Sequence, residues 1–117
     1  MRKSKENKLN YLGEFEELVL LAILRLDKNA YGVSIRSEIE RQTERLTSAG
    51  AVYTTLDRLE KKNYISSWEG EATTERGGRA KRYFQIESSG AEALRQAMSA
   101  RKRLLRGVNP KRLPVRV

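Results

Sequence analysis

Forty residues in the middle of the chain, Ser48 to Glu87, restrict its fold more than any other stretch, because their hydrophobic period switches from helical to alternating. Val52, Leu56 and Leu59 recur at helical spacing, with Thr54, Thr55, Arg58, Lys61 and Lys62 between them. Tyr64 and Ile65 then open an extended run through Trp68. A second run, Lys81 to Ile86, sets Tyr83 and Gln85 against Phe84 and Ile86. Alternation on both sides of a loop is strand patterning. The loop, Glu71 to Arg79, holds Gly77 and Gly78, and Arg76, Arg79, Lys81 and Arg82 place four cations within seven residues. A polar-faced helix followed by a basic hairpin predicts a mostly α chain with one small β-hairpin, a winged helix-turn-helix. In that arrangement the helix can enter a major groove while the hairpin, the wing, lies along the backbone beside it.

The flanking segments fit around that centre. Met1 to Leu12 is polar and basic, and reads as a flexible arm. Gly13 to Asp27 reads as the first helix: Phe15, Leu18, Val19, Ala22, Ile23 and Leu26 follow one stripe, and Leu20, Leu21 and Leu24 fill another side. A helix apolar nearly all round needs cover on more than one side. Leu20, Leu21 and Leu24 are therefore expected to face the last helix or a second subunit. Tyr31 to Thr43 reads as the second helix, with Val33, Ile35 and Ile39 inward and Arg36, Glu38, Glu40 and Arg41 outward. Ser48 is placed to cap the third helix. Ser88 to Arg106 carries a stripe of Ala91, Leu94, Met98, Leu104 and Leu105, interrupted by Arg101. An amphipathic helix projecting past a small domain has only another copy to bury against. The expected dimer residues are Leu20, Leu21, Leu24, Leu94, Met98 and Leu105. Gly107 ends that helix, and the basic tail continues to Val117. The expected division is thus arm 1–12, winged domain 13–87, dimerisation helix 88–106 and tail 107–117.

Charge narrows the partners. The 117 residues hold 24 Lys and Arg against 15 Asp and Glu, a formal +9, with the excess gathered in the termini and the wing. That distribution suits phosphate neutralisation better than a uniform solubility charge. A membrane surface and a plain basic surface are the competing readings. The chain has no Cys and no His. It therefore has no disulfide, no thiolate or imidazole metal site, and no His-based acid–base chemistry. No cofactor or metal is expected. Nor is an enzyme, since the Gly-Gly pair lacks the Lys-Ser/Thr of a phosphate-binding loop. No apolar run reaches membrane-spanning length, and the basic start lacks the apolar core of a signal peptide, so a cytoplasmic protein is the default.

Gly50-Ala51-Val52-Tyr53, then Leu56, Arg58-Leu59-Glu60 and Ile65, then Gly78 to Phe84 and Gly90 resemble the signature of the PadR family of bacterial transcriptional regulators. The resemblance runs from about Gly13 to Leu94. Asn63, Tyr64 and Glu87 depart from it, standing where glycine, leucine and threonine are usual. Asn tolerates a left-handed cap. Glu87 is a poorer N-cap, with Ser88 as the alternative. The resemblance implies a homodimeric winged-helix protein, usually a repressor, binding an inverted repeat in double-stranded DNA. A small-molecule effector is allowed for and not identified.

The expected base-reading residues on the third helix are Ser48, Ala49, Thr54, Thr55 and Arg58, because its early residues reach base edges. Arg58 can bond guanine in bidentate fashion, or be merely solvated. For Tyr53 the resemblance implies a phosphate contact through its hydroxyl; packing against the wing is the alternative. Arg76, Arg79, Lys81 and Arg82 are the expected wing contacts, opposed by Glu69, Glu71 and Glu75. Trp68 is expected to pack under the hairpin. A winged helix can also serve as a protein-interaction or RNA-associated module, since fold does not fix function.

Overall fold

The computed structural model describes residues 11–70 and 80–112. Four helices and one hairpin follow in order: α1 Glu14–Leu26, a 3-10 turn Asp27–Asn29, α2 Gly32–Thr43, α3 Ala49–Lys61, β1 Ile65–Glu69, β2 Arg82–Ile86 and α4 Ser88–Arg106. The fold is the expected one: mostly α, with a two-stranded antiparallel hairpin whose register runs from Ile65 opposite Ile86 to Glu69 opposite Arg82. Tyr31 adds a single antiparallel bridge to Tyr83, and the Phe84 N–H donates to the Ala30 carbonyl, so the start of α2 lies against β2.

The core takes one stripe from every element. Val19, Leu20, Ala22 and Ile23 of α1 meet Ile35 and Ile39 of α2, and Val52, Leu56 and Leu59 of α3. Tyr64, Ile65, Phe84 and Leu94 close it. Burial and the nearby Glu16 charge push the Tyr64 phenol above its usual pKa. Ser48 caps α3 as expected, accepting from the Ala51 N–H at 3.0 Å. Asn63 is left-handed, φ 64°. Ser89 Oγ donates to the Asn63 carbonyl, and the Glu87 N–H donates to the Tyr64 carbonyl. Gly90 then passes so close that a Cβ there would lie 2.3 Å from the Tyr64 carbonyl oxygen. The first turn of α4 is thereby fastened to the residues that leave α3.

Several expectations change. Leu20 and Leu94 are buried within this one protomer, so neither is available to a second copy. Leu20 falls three residues before Ile23 on the same stripe, and Leu94 lies one turn beyond the Gly90 contact. Val33 is exposed and Glu38 buried, the reverse of the expectation. Val33 lies about 200° around the helix from Ile35, whereas Glu38 falls beside the Ile35–Ile39 stripe. Burial of Glu38 is offset by three donors: Arg25, at 2.6 Å, Arg41 and Gln42. The bonds from Arg25 and then Arg41 hold its carboxyl below the usual range. Glu87 occupies the N-cap position of α4 but makes no capping bond; its carboxylate accepts from Ser66 Oγ instead, and Ser88 is the first helical residue. Trp68 stacks on Tyr83 with rings 5.7 Å apart and is 42% exposed, so it packs on the hairpin rather than under it.

Candidate nucleic-acid interface

The outward face of α3 begins with almost no side-chain bulk. Ala49, Gly50 and Ala51 are exposed, and nothing lies within 4 Å of where a Gly50 Cβ would stand. A surface so bare lets backbone approach a groove wall. Ser48 at the cap, Thr54 and Arg58 share the exposed side, and Arg58 makes no ion pair among the described residues. Asp57, one position before it, is tied to Lys61 at 3.4 Å. Thr55 is 5% exposed and faces the core with Val52, Leu56 and Leu59, so it leaves the set of base-reading candidates. It is one residue from Thr54 and thus about 100° around the helix, enough to turn it inward.

Tyr53 is 51% exposed and lies across the start of α2, where a Cβ on Gly32 would come 2.1 Å from its hydroxyl oxygen. Gly32 leaves room for that ring. The same ring lines a cleft of about 360 Å³ between α3 and β2, shared with Thr54, Leu56, Asp57, Glu60, Arg82 and Phe84. Tyr53 therefore joins three parts of the surface: α3, the first turn of α2 and the wing.

Both described wing cations have partners within the chain. The Lys81 ammonium lies 4.3 Å from the Tyr31 ring centroid. Arg82 pairs with Glu60 at 2.5 Å and donates to Ser67 at 3.1 Å. Arg76, Arg79, Glu71 and Glu75 lie outside the described residues. No spacing rule joins Glu60, Ser67 and Arg82, which sit on three different elements; opposite charges on the helix and the hairpin are the hint that a sequence can offer.

Leu21 and Leu24 of α1 and Met98, Leu104 and Leu105 of α4 are also exposed. Among the described residues no acidic cluster could hold a metal ion, and no helix is long and apolar enough to cross a membrane.

Fold and surface together define a winged-helix protein of the DNA-binding, transcription-regulating kind. Residues 20–96 match the model of the PadR-like family of transcriptional regulators, and the chain belongs to that family, whose members are regulators rather than enzymes. Among solved structures it is similar to a PadR-like transcription factor from Bacteroides fragilis, at 22% identity and a TM-score of 0.66, covering 89% of this chain and 93% of that one. A PadR family transcriptional regulator from Eggerthella lenta is similar at 21% identity and a TM-score of 0.64, covering 97% and 93%. A transcriptional regulator from Clostridium thermocellum is similar at 24% identity and a TM-score of 0.63, covering 80% and 89%. No curated protein matches the chain significantly.

Proposed function

We propose that the chain is a cytoplasmic, homodimeric repressor that reads an inverted repeat in duplex DNA. The observation that carries this reading is the outward face of α3, bare over its first turn and followed by Thr54 and an Arg58 that makes no ion pair among the described residues. Two such helices related by a two-fold axis would enter successive major grooves about 34 Å apart. Tyr53 and Lys81, with Arg76 and Arg79, would position the protein on the phosphates, while Ser48, Ala49, Thr54 and Arg58 read base edges. The exposed Leu21, Leu24, Met98 and Leu105 would be covered in the dimer.

Selection of bound duplexes from a random pool tests the reading. A symmetric site should emerge. Arg58→Ala should then relax preference at one position per half-site by about 1–3 kcal/mol, with little change on scrambled duplex. Recovery of no shared sequence, or a preference for single strands, would overturn it.

A further inference from the structure

Three side chains close a ring between the wing and α3. Arg82 Nη2 donates to Glu60 Oε1 at 2.5 Å, Ser67 Oγ donates to Glu60 Oε2 at 2.6 Å, and Arg82 Nε donates to Ser67 Oγ at 3.1 Å. Each member comes from a different element: Glu60 from α3, Ser67 from β1, Arg82 from β2. The guanidinium also lies 5.4 Å from the Phe84 ring centroid. Its Nε and Nη2 donors are thus turned toward Ser67 and α3 and engaged.

A carboxylate and a phosphate offer a guanidinium the same kind of paired oxygen acceptor. Glu60 therefore competes with DNA for Arg82. Lys81 is in a different position. Its ammonium rests on the face of Tyr31, which attracts a cation but carries no net charge to cancel it. Of the two described wing cations, one keeps its full charge for a phosphate and the other is neutralised in place.

We propose that Glu60 is a specificity-determining residue: it withholds Arg82 from DNA phosphates and, through Ser67, ties the wing to the recognition helix. The inference rests on the DNA-binding reading above. Duplex of any sequence attracts every uncancelled cation, so holding Arg82 back lowers affinity for wrong sites and widens the margin for the right one.

The test measures binding to a scrambled duplex by fluorescence anisotropy over a range of salt concentrations. Glu60→Ala should raise affinity roughly fivefold at low salt and steepen the slope of log K against log salt by about 0.9. Ser67→Ala should shift both in the same direction by less. Arg82→Met alone should leave the slope unchanged, and in the Glu60→Ala background it should return the slope to that of the parent. An unchanged slope in Glu60→Ala, or a slope flattened by about 0.9 in Arg82→Met alone, overturns the inference. If Glu60→Ala fails to fold, Glu60→Gln keeps the shape, loses the charge and is held to the same expectation. The free protein supplies an independent arm. The Arg82 Nη2–H, which donates to Glu60, should give a slowly exchanging NMR signal that Glu60→Ala abolishes; a signal equally labile in both overturns the inference. A parent chain that binds no duplex sinks the DNA-binding reading, and the Nη2–H signal still decides whether Glu60 holds Arg82.

Discussion

Up to Leu94, α4 is a wall of the domain; from Met98 onward its apolar side chains are exposed, and Arg101 ties it back to Glu17 of α1. Gly90 and Leu94 are buried, whereas Met98, Leu104 and Leu105 are exposed, Leu105 at 49%. One continuous helix of 19 residues is thus buried over its first half and exposed along the apolar stripe of its second. Its apolar stripe looks uniform, because periodicity reports which side of a helix is apolar and not what covers that side. Coverage depends on where neighbouring elements stop. Here the start of α4 is fastened to Asn63 and Tyr64, while Met98, Leu104 and Leu105 toward its end are left exposed by the described residues.

Substitutions can separate the two halves. The largest effect should come from Gly90→Val, whose Cβ would stand 2.3 Å from the Tyr64 carbonyl oxygen. Backbone cannot yield as a side-chain tip can, so a loss of about 4 kcal/mol or more is expected. Thermal unfolding followed by circular dichroism should show a largely unfolded chain. A melting temperature near that of the parent would mean the two segments can slide apart.

Replacing Met98 and Leu105 together by Ser should act on the other half alone. Secondary structure should persist, while the dissociation constant of the proposed dimer in sedimentation rises by at least about tenfold, since that dimer would cover both apolar side chains. Unchanged sedimentation would place the contact between copies elsewhere.

Arg101→Gln is the finest probe, because Arg101 lies on the outer half yet reaches Glu17 of α1 at 3.1 Å. Arg101 is itself exposed, so solvent screening limits the loss to about 1 kcal/mol in urea unfolding. A much larger loss would show that the outer half leans on the domain after all.

The same distinction explains what could be read in advance. Val52, Leu56, Leu59 and Phe84 were legible as core because each sits in a period with apolar neighbours on the same side. Thr55 was not, since a threonine is equally at home on a groove-facing or a core-facing surface. Leu20 and Leu94 were recognisable as apolar but not assignable to one protomer or two. Glu38 read as an outward acid, and only the convergence of Arg25, Arg41 and Gln42 makes its burial tolerable. The ring of Glu60, Ser67 and Arg82 joins positions 22 and 15 residues apart across the hairpin, a separation no local pattern encodes.

The clasp of Ser89 and Gly90 on Asn63 and Tyr64 gives α4 a fulcrum. A helix of this length is about 28 Å long, so a tilt of about 5° about that point sweeps its free end through roughly 2.5 Å. The short arm, at the residues leaving α3, moves far less. Such gearing would turn a coarse repositioning at the distal tip into a fine adjustment of α3.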